Sequence, residues 1–411
     1  MKKFFALLLS LAMVLALVAC GQKETTTPDD TQTPDDTTPE VEYKIAMITD
    51  YGDITDQSFN QTTYEACKAF AEDNSIEFSY FKPAGDNTAD RVAMIEKAVN
   101  DGFNVIVMPG YAFGGAIVEA APEFPDVKFI ALDVAAGDLL ETAVAKAGEA
   151  YDYTPENWDL NKYVDMSNVY CAVYQEELCG YMAGYAAVKL GYKNLGFLGG
   201  MSVPAVVRYG YGFVQGVDAA AADLGLTDVK LNYIYGGQFF GDADITAVMD
   251  TWYQGGTEVV FACGGGIYTS AVDAAKKANA KVIGVDVDQA GVIAKYAGVD
   301  GMTVTSAMKG LYPATYDTLT DVIVNGNWEK YVGKIETLGL VSGTDPEANY
   351  VQIPMGDGTQ WSDSFTQDDY KAMVKDMFDG KITVSNNTSS DVSAADFATV
   401  ITVDDQGSIK G

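Results

Sequence analysis

Two short apolar runs, far apart in the chain, constrain this sequence most. Ile45-Ala46-Met47-Ile48 leads into Thr49-Asp50 and then Asp56-Gln57-Ser58-Phe59-Asn60-Gln61, while Val282-Ile283-Gly284-Val285 leads into Asp286-Val287-Asp288-Gln289. Each run opens into polar residues at its carboxyl end, the pattern of a strand buried on both faces of a parallel sheet. In open α/β sheets the loops at those ends line the ligand crevice. Two such mouths from distant parts of one chain predict two lobes with one cleft between them.

The intervening sequence keeps the matching rhythm. Strands are predicted at 44–49, 76–81, 105–108, 128–132 and 168–174, with helical patterns over 59–72, 88–100 and 114–123. Residues 138–166 interrupt the alternation and read as a surface excursion with one short helix. Helices over 176–190, 205–224, 242–253 and 269–278 then alternate with strands at 194–198, 230–235, 258–263 and 281–285. A strand at 302–305, a helix over 308–324 stopped by Gly326, and a helix over 367–378 complete the pattern. Strands alternating with helices give parallel sheets covered on both faces. The expected fold class is α/β, as two doubly wound lobes. Residues 43–174 with about 306–326 would form the N-terminal lobe, and 175–305 with about 327–411 the C-terminal lobe and tail.

The amino-terminal segment has a different composition. Met1-Lys2-Lys3 precedes an uncharged apolar stretch ending Val18-Ala19-Cys20-Gly21. This is the pattern of a bacterial lipoprotein signal, in which Cys20 is lipidated and becomes the mature amino terminus. The stretch is shorter than the ~20 residues a membrane span needs. The alternative is an ordinary secretory signal with an incidental cysteine. Residues 21–42, rich in Thr, Pro and Asp, bury too little apolar surface to fold and read as a flexible tether. The expected location is the extracytoplasmic face of the cell membrane, with the lipid anchor as the membrane contact.

Charge and residue usage remove several function classes. With 58 acidic against 26 basic residues the net charge is −32, which argues against nucleic acid as a partner. There is no histidine, so His-based acid–base catalysis, Ser-His-Asp triads and His metal sites are excluded together. Cys67, Cys171, Cys179 and Cys263 match no zinc spacing, and a Cys171–Cys179 disulfide is open to an exported protein. No catalytic residue, metal or cofactor is assigned.

Several residues at the predicted mouths could hold a small molecule. Phe59 could stack on a planar ligand and Asn60 could pair with a heterocycle edge, or they are a core residue and a helix cap. Asp133 and Asp286 end predicted strands; each could accept hydrogen bonds from polyol or ribose hydroxyls, or cap a helix. Gly264-Gly265-Gly266 permits close backbone approach or a tight turn, and no Walker or dinucleotide pattern accompanies it. Lys309, placed at a predicted helix start where cations are disfavoured, could pair with Asp286 or donate to a ligand hydroxyl, or be a surface lysine.

Together these segments resemble the basic membrane protein family, lipoproteins that serve as substrate-binding components of ABC transporters and include purine-nucleoside receptors. The matching segments are Asp50 with Asp56-Gln57-Ser58-Phe59-Asn60-Gln61, Phe129-Ile130-Ala131-Leu132-Asp133, Glu176-Glu177-Leu178-Cys179-Gly180-Tyr181-Met182-Ala183-Gly184 and Leu195-Gly196-Phe197-Leu198-Gly199-Gly200-Met201. Gly212-Phe213 with Gly216, Gly284-Val285-Asp286-Val287-Asp288-Gln289, and Thr305-Ser306 with Lys309 follow in the family's order. The resemblance implies the type I periplasmic-binding-protein fold, two α/β lobes hinged around the ligand. It implies that Phe59 stacks on a base whose edge Asn60 and Asp50 read. Asp133, Asp286 and Lys309 would hold the ribose, helped by backbone near Gly264 or Gly265. Phe239 or Phe240 would supply the opposite aromatic wall.

The function expected from all this is capture of a nucleoside, purine by preference, and delivery to an ABC permease, by a monomer with no catalytic step. The alternatives are a binding protein for a sugar or ribose-like signal, and a surface nucleoside or glycoside hydrolase using paired carboxylates such as Asp50 and Asp56.

Overall fold

The computed structural model describes residues 42–410; the expected signal, Cys20 and the tether up to residue 41 lie outside them. Its strands are β1 (Lys44–Ile48), β2 (Glu77–Phe81), β3 (Val105–Pro109), β4 (Lys128–Leu132), β5 (Val169–Tyr174), β6 (Asn194–Gly199), β7 (Lys230–Tyr235), β8 (Val259–Cys263), β9 (Lys281–Asp286), β10 (Thr303–Lys309), β11 (Ile335–Leu338), β12 (Val351–Gln352) and β13 (Thr402–Ser408). They form two sheets, one ordered β11-β5-β4-β3-β1-β2 and the other β12-β10-β9-β8-β6-β7-β13. All pairings are parallel except the short β10–β12 contact.

Central strands are buried along nearly their whole length, as β3 (Val-Ile-Val-Met-Pro) and β8 (Val-Val-Phe-Ala-Cys) show, because helices cover both faces. In the second lobe the helices Glu176–Lys189 and Pro204–Leu224 pack backbone to backbone. A Cβ added at Gly180 would sit 2.3 Å from the Tyr209 carbonyl oxygen, and one at Gly212 would sit 2.1 Å from that of Glu177. Gly184 and Gly216 continue the same seam.

Three connections cross between the lobes, at Gln175, at Gly310 and after Leu338. They are bonded side by side: Gln175 N donates to Leu338 O (3.0 Å), Tyr350 N to Gly339 O (3.0 Å) and Gly310 N to Tyr350 O (2.7 Å). This hinge corrects the expected boundaries. β10 stays in the second sheet through Lys309, and helix Leu311–Leu319 packs on helix Phe59–Asn74 of the first lobe. β11 then closes the first sheet, so residues 335–338 belong there and not with the C-terminal lobe.

Two element assignments also change. The expected excursion over 138–166 begins as a regular first-lobe helix, Ala136–Lys146, whose Leu139, Leu140, Ala143 and Val144 are buried. The expected helix over 308–324 starts later, because pairing with β9 and β12 holds Ala307, Met308 and Lys309 in strand despite their helix propensity. Cys67, Cys171, Cys179 and Cys263 are free, buried thiols. Among the described residues no helix is long and apolar enough to cross a membrane.

Candidate functional site

The carboxyl ends of both sheets face one cavity of about 440 Å³, lined by all ten residues singled out from the sequence. Its first wall is built at the mouth of β1. Asp56 accepts hydrogen bonds from the Ser58, Asn60 and Gln61 amides and so starts helix Phe59–Asn74, the role considered for Asn60. Asp50 Oδ1 accepts from the Tyr51 and Gly52 amides, both at 2.6 Å. The Asn60 amide nitrogen donates to both Asp50 and Asp56, each at 3.1 Å, and its oxygen accepts from Asp50 N at 3.4 Å. Asn60 therefore braces two carboxylates through its amide nitrogen, and it lines the cavity as well. Burial pushes the Asp50 carboxyl above its ordinary range against the pull of those amide donors.

The floor is an ion cluster around Lys309. As the last residue of β10 it is no helix-start lysine, and it is buried. Its ammonium bonds Asp133 Oδ2, lies 3.6 Å from Glu176 Oε1 and 3.7 Å from Asp286 Oδ1, and stands over the Phe59 ring at 4.7 Å. Burial alone would lower its pKa, but the three carboxylates outweigh that and raise it, so it stays an ammonium. Burial lifts the Asp133 carboxyl to about 6, with Lys309 pulling the other way.

Neither Asp133 nor Asp286 caps a helix. Both sit just where a strand ends, with φ of 57° and 65°, a left-handed backbone that Asp tolerates better than most residues. Strain at two equivalent strand ends, one per lobe, is the kind of cost that functional sites retain. Asp286 also accepts from the Ser58 hydroxyl across the cleft (2.5 Å) and from the Tyr209 hydroxyl (3.3 Å). Asp133 Oδ1 is buried with no hydrogen-bond partner.

The opposite wall is aromatic. Phe239 lies on a glycine floor: a Cβ at Gly200 would be 2.4 Å from its ring, and one at Gly264 2.7 Å. The space beside Gly264 is thus filled by this ring, while Gly264 and Gly265 both line the cavity. Gly265, with φ of +48°, makes the turn, and Gly266 N donates to Phe239 O. Phe240 is 55% exposed at the cavity rim.

Sequence reasoning missed Glu176 and Arg208, which are bonded at 2.7 Å, as well as Tyr111, Asp138 and Tyr209. Arg208 had a signal, being the sole basic residue of helix Pro204–Leu224 and set among apolar residues in its first turns. Among the described residues no acidic or cysteine cluster could hold a metal ion.

Residues 43–344 match the family model described as ABC transporter substrate-binding protein PnrA-like. The chain belongs to this family. It is 26% identical over 362 residues to the ABC transporter nucleoside-binding protein BmpA of Lactococcus lactis, covering 84% of this chain and 90% of that one. Basic membrane protein B of Borreliella burgdorferi is 26% identical over 322 residues, or 75% and 83% of the two chains. A solute-binding protein of an ABC transporter system from Aeropyrum pernix has the same fold, with a TM-score of 0.59 at 20% identity over 84% of this chain and 88% of that one. Members of the family are ABC transporter substrate-binding proteins, which implies a ligand and a permease as partners.

Proposed function

We propose that this protein is a lipid-anchored receptor that captures nucleosides, purine by preference, at the outer face of the membrane and hands them to its permease. The observation that carries the reading is the pairing, within one cavity, of aromatic walls at Phe59 and Phe239 with the Asp133–Lys309–Asp286 floor. Aromatic faces suit a planar base, and carboxylates with an ammonium suit ribose hydroxyls. The open Asp133 Oδ1 is the acceptor a hydroxyl would complete. The nucleoside-binding relative and the Cys20 signal support the same reading. Each lobe supplies half of the contacts, so ligand favours the closed arrangement by bridging both.

Calorimetric titration of unfolded and refolded protein, freed of carried-over ligand, with adenosine, guanosine, inosine, cytidine, uridine and ribose tests this. Purine nucleosides should bind in the micromolar range or tighter, and Phe59→Ala or Asp286→Asn should weaken binding about tenfold or more. Asn is chosen at 286 because it tolerates the left-handed backbone. Binding of ribose or a hexose with no response to any nucleoside would replace this reading with a sugar receptor.

A further inference from the structure

Past the segment that the family model matches, the chain returns along the edge of the second sheet and brings Lys410 beside the aromatic wall. The Asp218 carboxylate first fastens the returning strand, accepting from Thr399 N and Val400 N (both 2.8 Å) and from the Thr399 hydroxyl (2.6 Å). β13 then runs parallel to β7 from Thr402 opposite Lys230 to Ser408 opposite Tyr235, and Ile409 N donates to Tyr235 O (2.8 Å). Gln406 accepts from the indole of Trp252 on helix Ala243–Gln254 (3.2 Å).

Two residues past β13, Lys410 holds the loop after β7 at two points. Its backbone packs on Gly237, where φ is +80° and an added Cβ would meet the Lys410 carbonyl oxygen at 2.7 Å. Its ammonium donates to Gln238 Oε1 (2.8 Å) and pairs with Asp242, the residue that caps helix Ala243–Gln254. Gln238 Nε2 in turn donates to Phe240 O and Asp242 Oδ2, both at 2.9 Å. A lysine is disfavoured near a helix amino terminus, so its place here rests on these partners. Between the two anchoring points stand Phe239 and Phe240, both lining the cavity.

We infer that the carboxyl-terminal strand is a clamp that sets the aromatic wall of the cleft, with Lys410 as a positioning residue for stacking on the ligand base. An ion pair of two partly exposed groups adds little to global stability. Its effect is local, narrowing the arrangements of a loop that would otherwise be ordered only when ligand arrives.

The affinity part of this inference rests on the nucleoside reading; the clamp does not. Amide hydrogen exchange on the ligand-free full chain, comparing Lys410→Met and Lys410→Arg with the unchanged protein, tests the clamp alone. Exchange should quicken in Lys410→Met at Gly237 and Asp242, stay unchanged in β8 and β9, and be restored in Lys410→Arg. Unchanged exchange at Gly237 and Asp242 overturns the clamp whatever the ligand is.

Titration with the tightest-binding purine nucleoside tests the positioning role. Lys410→Met should weaken binding about three- to tenfold. That loss should vanish in a Phe239→Leu background, where packing remains and stacking is gone. Equal losses in both backgrounds overturn action through the aromatic wall. If the unchanged protein binds no nucleoside, the functional reading fails while amide exchange still decides the clamp.

Discussion

At Asp138 two forces act on one carboxyl group. It accepts a hydrogen bond from Ala135 N (2.7 Å), which favours the charged form, but burial at the cavity wall dominates and pushes its pKa from 3.8 up to about 7. The folded protein therefore holds this proton more tightly than the unfolded chain does. Stability from this group is full below about pH 4, declines as pH rises through the folded value, and levels off above it. Asp138→Asn keeps an acceptor for Ala135 and removes the titration. The variant should match the parent near pH 4 and exceed it by about 1–3 kcal/mol at pH 8 in denaturant unfolding. Glu177 and Asp133, raised to about 7 and about 6, slope the same way and remain in both proteins, so the difference between the two profiles isolates Asp138. Asp138 was not legible as a cavity residue, since the sequence places it at the start of a surface excursion, whereas the structure puts it in the first turn of helix Ala136–Lys146. Asp133 and Asp286 were legible because a charge directly after a short apolar run, within a strand–helix alternation, reads as the mouth of a parallel sheet.

The helix pair of the second lobe carries part of the site. Helix Glu176–Lys189 presents Glu176 to Lys309, and helix Pro204–Leu224 presents Arg208 to Glu176 and Tyr209 to Asp286. The glycine seam fixes how closely the two helices approach, hence where those three side chains arrive. Gly212→Ala must displace the Glu177 backbone, so it should cost about 1–3 kcal/mol or more and lower the melting temperature by several degrees. The same substitution at Gly225, in the left-handed position that ends helix Pro204–Leu224, meets no neighbour within 4 Å; it costs only backbone strain and serves as the comparison. The apolar runs made β1 to β10 visible in the sequence, while β11 and β12 went unread. β13 was invisible: Thr-Val-Asp-Asp-Gln-Gly-Ser has no apolar face, and its pairing with β7 is a tertiary choice at a sheet edge. β10 showed its start but not its end, because Ala-Met-Lys reads locally as helix.

In the whole molecule the lobes meet through contacts that ligand would have to accompany or replace. Besides Ser58 to Asp286 and Lys309 to Asp133, Gln289 Nε2 donates to Gln57 O (3.2 Å) and the Tyr111 hydroxyl approaches Met201 Sδ (3.5 Å). The arrangement is closed, and opening must turn about the three bonded crossings at Gln175, Gly310 and Gly339. Sequence alone could not locate that hinge, since a crossing strand and a strand leading to the next helix have the same composition. One consequence follows for Cys263, which ends β8 against the cavity with 1% of its surface exposed, and whose thiol burial holds far above its ordinary pKa. While the lobes stay together it offers almost no thiolate to a reagent. Parting of the lobes is expected to bring solvent to it, because it lines the cavity, whereas Cys67 and Cys171 do not and sit in the first lobe's packed interior. Alkylation of Cys263, followed by mass spectrometry, should therefore slow when ligand is added while Cys67 and Cys171 remain unmodified. The buried thiol becomes a clock that counts how often an unlabelled receptor opens.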